Sequence, residues 1–307
     1  MKILPLFVLF AALSVPLRAQ TIDDGVMMGK HDLFTGDLYS HDSWDHYWEG
    51  TLKRVNGNVG TVTTQTDTWS ANYGLTNRLN IIAAVPFVWT RPSQGVLTGM
   101  RGFQDITLAG KYSFLDRSSE KYGGLRLIAV LSGAVPLTRY TPDLEPLSIG
   151  TQSRRIAGRF TLFYQSNPGW FFNSSMAYTR RADVTLDRPY YFTEDQLFFT
   201  NEVSMPDVAD YVVSSGYMKH GVNANLSYSQ QFTQGGGDIR RQDLPFVSNK
   251  VNFSKVGAMV MAPLPKLPNL AFQFAMAYIV NGRNVGQATT FTTGFLYRYH
   301  VYGSTTR

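Results

Sequence analysis

The 307 residues carry 28 Lys and Arg against 22 Asp and Glu, a formal charge of +6, and no Cys. Only 16% are charged and 14% are aromatic, where soluble globular chains run to roughly 25% charged. The mild basic excess comes with no basic run or stacking motif, which excludes a nucleic-acid binder, and without Cys there is no disulfide framework.

The chain opens MKILPLFVLFAALSVPLRAQ, with an early Lys, an apolar run from Ile3 to Leu17 and a small residue near the end. Residues 1–20 read as a secretory signal peptide cut after Ala19 or Gln20. No Cys follows, so a lipid-anchored lipoprotein is excluded. Beyond Gln20 no apolar stretch reaches the roughly 18 residues of a membrane helix. An exported β-protein remains, either a soluble sheet protein or an outer-membrane barrel.

Residues 21–43 show no clear period and read as an N-terminal segment at the periplasmic end of a barrel or partly inside its lumen. His41, Asp42, Asp45 and His46 are metal-type side chains. Their spacing fits no metal motif, and no metal is assigned.

From 44 to 307 the chain divides into segments of strand length, predicted at 44–55, 61–73, 79–90, 104–115, 125–137, 154–165, 170–181, 208–218, 222–233, 251–262, 270–280 and 289–302. The third shows the pattern most clearly. Leu79, Ile81, Ala83, Val85, Phe87 and Trp89 share one face, and Asn80, Ile82, Ala84, Pro86, Val88 and Thr90 the other, because strand side chains alternate. Ile106, Leu108, Gly110, Tyr112 and Phe114 likewise oppose Asp105, Thr107, Ala109, Lys111 and Ser113. The segments at 44–55 and 251–262 alternate poorly.

Connection lengths decide between sandwich and barrel. Short links (74–78, 116–124, 166–169, 219–221, 263–269) take turns with longer ones (91–103, 138–153, 182–207, 234–250, 281–288). Only 56–60 is short where a long link is expected. Short periplasmic turns alternating with long external loops mark an outer-membrane barrel, and a soluble sandwich has no reason to sort its loops by parity. The predicted fold is therefore all-β, a closed transmembrane antiparallel barrel of about 12 strands. Its location is the bacterial outer membrane, reached after export.

Asn72-Tyr73-Gly74-Leu75-Thr76-Asn77-Arg78-Leu79, Val85-Pro86-Phe87, Gly102-Phe103-Gln104-Asp105 and Ser132-Gly133-Ala134-Val135-Pro136-Leu137 resemble outer-membrane transporters of the phenol-degradation meta-pathway type. The run from Gly235 to Asn249, with Gly282-Arg283-Asn284-Val285-Gly286-Gln287, looks like a related group of barrels from Bacteroidetes-type bacteria. The resemblance touches most of the mature chain and implies a channel, with barrel-assembly machinery, membrane lipid and a small solute as partners. Barrels of this kind usually finish on an aromatic residue, whereas this chain ends Tyr302-Gly303-Ser304-Thr305-Thr306-Arg307.

Parity points Asp105, Lys111, Arg126, Arg155, Arg159, Asn173, Arg298 and His300 inward. Asp105, Lys111, Arg126, Arg159, Arg298 and His300 are the candidate lumen residues. Basic groups outnumber acidic ones in this set, so the lumen either favours anionic solutes or has its charges paired across a closed interior. Gly235, Gly236 and Gly237 allow a sharp fold. With Asp238, Arg240, Arg241 and Arg283 they are the candidate constriction. No Gly-Lys-Ser/Thr follows, so this is no phosphate loop.

The expected function is passive uptake or efflux of small solutes, anionic or aromatic. The alternative is a surface-exposed structural or host-contact barrel, using Tyr190, Tyr191, Phe192, Phe198 and Phe199. An outer-membrane phospholipase-type hydrolase would need His300 as base. But His300 points inward, and Ser132 and Ser227 lie in no nucleophile motif. No enzyme activity and no cofactor are implied, and subunit association is left open.

Overall fold

The computed structural model describes residues 21–240 and 245–301. The expected signal peptide and the last residues of the chain lie outside them. Twelve long strands form one closed antiparallel sheet: β1 (Asp32–Trp44), β2 (Val62–Gly74), β3 (Leu79–Pro92), β4 (Asp105–Ser119), β5 (Gly123–Pro136), β6 (Arg155–Gln165), β7 (Trp170–Arg181), β8 (Val208–Lys219), β9 (Val222–Thr233), β10 (Asn252–Leu264), β11 (Leu267–Arg283) and β12 (Thr289–His300). Each pairs with its neighbours in sequence. β1 closes the ring on β12, from Asp32 opposite His300 to Ser43 opposite Thr289. Closure leaves no open sheet edge, the condition for strands to cross a bilayer.

The wall is apolar outside. Ile81, Leu108, Leu131, Ile156, Phe160, Leu226, Val260, Phe274 and Phe295 are all exposed on outward positions of successive strands. A belt of this extent in water would be a gross solubility liability, whereas hydrocarbon accepts it. Inward positions carry Asn80, Asp105, Lys111, Thr161, Asn173 and Asn223, all buried.

The first strand lies twelve residues earlier than its pattern predicts. The barrel begins at Asp32, and the expected strand at 44–55 is instead a small external hairpin of His46–Glu49 with Leu52–Val55. β1 hides from a hydropathy reading because its outward set is Leu33, Thr35, Asp37, Tyr39 and His41. The neighbouring outward side chains answer that polarity. Gln65 on β2 donates to the Tyr39 hydroxyl at 2.6 Å, and the Trp89 indole on β3 donates to Gln65. With β1 in place the first connection becomes 45–61, a long loop, and the one break in the alternation of loop lengths disappears. His41 and Asp42 face opposite sides of β1, so the four candidate metal-type residues do not converge.

A bulge between Ser113 and Leu115 shifts the β4–β5 register by one residue. Below it Asp116 turns inward, opposite Arg126, where strict alternation from Asp105 would have turned it outward.

Candidate functional site

Residues 21–28 run inside the lumen at its periplasmic end and are fixed to wall strands by hydrogen bonds. Lys111 Nζ on β4 donates to the Asp24 carboxylate and to the Thr21 carbonyl, both at 2.8 Å. Asn173 on β7 donates to the Asp23 carbonyl at 3.0 Å. Asn80 on β3 grips Met28 twice, accepting from its N–H at 3.0 Å and donating to its carbonyl at 3.2 Å. Val26 and Met28 pack with inward Phe34, Phe163, Phe171 and Met218. Gly25 lies so close to Phe163 that a Cβ would sit 2.0 Å from that side chain, so glycine is required there.

All six candidate lumen residues point inward, and each has a partner of opposite charge or polarity. Arg126 donates to Asp116 at 2.9 Å, and Arg159 to Asp210 at 2.6 Å. Arg155 lies 3.3 Å from Asp105, which also accepts from Tyr140 at 3.0 Å. Asp32 takes Arg298 at 2.6 Å and His300 at 2.8 Å. The expected basic excess is thereby offset. Its carboxylate partners lay in the segment ahead of the predicted barrel (Asp24, Asp32), beyond the bulge (Asp116), or on β8 (Asp210), and parity alone did not gather them.

The external mouth is narrowed by the β5–β6 loop, 137–154, which turns into the barrel. Leu147 is fully buried with Val59 and Val62, and Ile149 with inward Val88 and Tyr140. Thr90 on β3 donates to the Leu147 carbonyl at 2.5 Å. Buried, and close to the Asp105 carboxylate, the Tyr140 phenol is held well above its ordinary pKa. Glu145 on the same loop borders a cavity of about 440 Å³ together with Trp44, Arg181, Arg240 and Phe246. Loss of water lifts its carboxyl to about 8.

The glycine-rich loop lies over this inner constriction as a clasp, and not as the inner constriction that its sequence suggests. Gly236 adopts φ +80 and abuts the Ser248 carbonyl. Asp238 accepts from Arg283 Nε at 2.7 Å and Nη2 at 2.6 Å, which holds its carboxyl below the usual range against the opposing effect of burial. Asn284 donates to Asp238 and to the Lys250 carbonyl, and accepts from the N–H groups of Gly50 and Ile239. Arg240 pairs with Asp195 of the β7–β8 loop. Arg241 lies outside the described residues. Phe246 and Val247 bury against Val184, Tyr191 and Val203, so two external loops share one apolar cluster.

Against the plug, bordered by Thr21, Asp23, Asp24 and Val26, a cavity of about 350 Å³ remains. Phe163, Phe171, Met218 and Met259 give it apolar walls, and Asn173, Asn223, Asn225 and Gln273 add amides. Asn223 and Asn225 follow from strand parity. The plug that floors the cavity does not, because no periodicity marks residues 21–28.

Residues 51–242 match the family described as the MetA-pathway of phenol degradation. The chain belongs to that family. No curated protein matches it in sequence. Among solved structures, an outer-membrane channel from Pseudomonas putida F1 superposes with a TM-score of 0.71 at 12% identity, covering 92% of this chain and 100% of that one. The translocator domain of the autotransporter NalP from Neisseria meningitidis gives 0.46 at 8% identity, covering 89% and 90%. A mutant of the TodX monoaromatic hydrocarbon channel gives 0.43 at 10%, covering 89% and 91%. This member of the phenol-degradation family is thus an outer-membrane β-barrel in architecture and location.

Proposed function

We propose that the barrel passes small, largely uncharged solutes, aromatic ones included, passively across the outer membrane, and that it rests in a closed state. One observation carries this reading: the lumen is not filled by its own wall. It is stopped by an eight-residue segment and an infolded loop, and an amphipathic cavity lies against that segment. A barrel built only as a surface scaffold has no use for removable stoppers. The six predicted lumen charges are paired, which leaves Lys255 as the added cation of the cavity wall, and Phe and Met beside amides suit a ring bearing one polar group. The family's link to phenol degradation fits a solute of that kind.

The hydrolase alternative lacks a nucleophile at His300, whose hydrogen-bond partner among the described residues is the Asp32 carboxylate, shared with Arg298, and not a serine or threonine hydroxyl. Influx of phenol against influx of a neutral sugar into proteoliposomes tests the proposal. Faster phenol entry than in protein-free vesicles, without matching sugar entry, supports it. Equal phenol rates with and without protein contradict it.

A further inference from the structure

The outer wall carries a groove that the solute passage does not use. On β4, β5 and β6 the outward positions at one height are Gly110, Leu131 and Gly158, with Leu108, Gly133 and Ile156 one step towards the outside. Added Cβ atoms at Gly110 and Gly158 would meet nothing within 4 Å, and one at Gly133 only the Arg155 carbonyl at 3.8 Å. These glycines therefore fill no packing need. They leave a trough between exposed Leu108, Leu131 and Ile156, part of a shallow, mainly apolar cavity of about 910 Å³.

The groove's external end is basic. Arg154, Arg155, Arg180 and Arg181 line it, and its lining includes no carboxylate. Arg155 and Arg181 are committed elsewhere, to Asp105 and to the Pro206 carbonyl. Arg154 is exposed and the Arg180 side chain is 79% exposed. Asp207 lies 3.8 Å from Arg180 and is already bound by the Tyr178 hydroxyl and the Arg181 N–H, and Asp183 borders Arg154 in the adjoining loop cavity.

We propose that this groove seats a phosphate-bearing lipid of the external side of the membrane, one acyl chain lying on the glycine floor and the phosphate between Arg154 and Arg180. The apolar trough continues into Arg154 and Arg180 at the external ends of β6 and β7, and charge complementarity names an anionic lipid over a zwitterionic one. Guanidinium forks match phosphate oxygens, and a cation near a membrane surface adds appreciably to anionic-lipid binding.

Native mass spectrometry of the folded barrel, equilibrated with equal amounts of phosphatidylglycerol and phosphatidylcholine, tests the seat. Phosphatidylglycerol adducts should exceed phosphatidylcholine adducts roughly tenfold. Arg154→Gln with Arg180→Gln should bring the two lipids to parity. Gly133→Val, which raises the floor, should reduce retention of both, and heat-dependent gel mobility confirms that each variant is folded. Equal retention by the native protein, an unchanged preference in the arginine variant, or unchanged retention in Gly133→Val would each overturn the proposal.

Discussion

The Lys111 ammonium and the Asp24 carboxylate meet at 2.8 Å inside the barrel, joining a wall strand to a segment that is not part of the wall. Lys111 is fully buried, while Asp24 keeps some contact with water. A lysine placed there cannot be left unpaired cheaply, so the lumen chemistry itself favours retention of the plug.

Replacing Asp24 by Asn removes the charge partner and leaves Lys111 buried with amide and carbonyl contacts only. Loss of one partner of a buried pair costs about 3 kcal/mol or more, which destabilises the plugged state against a released one. The expected outcome is faster proteolysis near residue 24 from the periplasmic side in folded, reconstituted protein. An unchanged cleavage rate would show that the apolar contacts of Val26 and Met28 suffice.

At the other end, Leu147→Ala empties a fully buried site against Val59 and Val62. Such truncations cost about 2–5 kcal/mol, enough to shift the loop outward without touching the wall. Flicker between closed and open levels should rise, with single-channel recording as the check.

The external clasp should fail in stages. Asn284 is buried, holds φ +54 and makes hydrogen bonds to four residues. Asn284→Ala loses the bonds and strains the backbone, and costs about 2 kcal/mol or more. Asn284→Gly relieves only the strain. Both variants should expose the loop at 234–250 to external protease, alanine more than glycine, with the strand core unaffected.

Acidity should act on the cap through Glu145. Its carboxyl, held to about 8 in the folded protein against 4.5 for a free side chain, keeps a proton that the released loop gives up. Stability of the infolded loop therefore falls as pH rises from 4.5 towards 8 and levels off above. Open probability should be greater near pH 9 than near pH 6, and Glu145→Gln should flatten that dependence. Asp238 runs the other way. Held low by Arg283, it supports the clasp at neutral pH and gives way only as pH falls below the ordinary carboxylate range.

Most of the wall was legible because lipid imposes a strict period of two on it. Leu79 to Trp89 could be assigned a face residue by residue, and Arg283 could be expected to meet the glycine-rich loop. β1 was not legible, since Asp37, Tyr39 and His41 occupy positions where the period asks for apolar side chains. Nor were the partners of the lumen cations. Asp24 sits on an aperiodic plug, and Asp116 faces inward only because a single bulge reverses the parity below Ser113. Loop 234–250, expected as the constriction, lies over the mouth, and loop 137–154, for which the sequence marks no role, turns into it. Glycine content marks where a backbone can bend sharply, whereas Leu147 and Ile149 had no way of showing in sequence that they bury inside the mouth.

The most direct test compares planar-bilayer conductance of the intact barrel with that of a variant lacking residues 21–28, both refolded and checked for heat-dependent gel mobility. The intact protein should show rare, small steps, and the variant frequent and larger ones with little preference between anion and cation. Identical traces from the two, or no steps from either, would contradict a passage stopped by its own N-terminal segment.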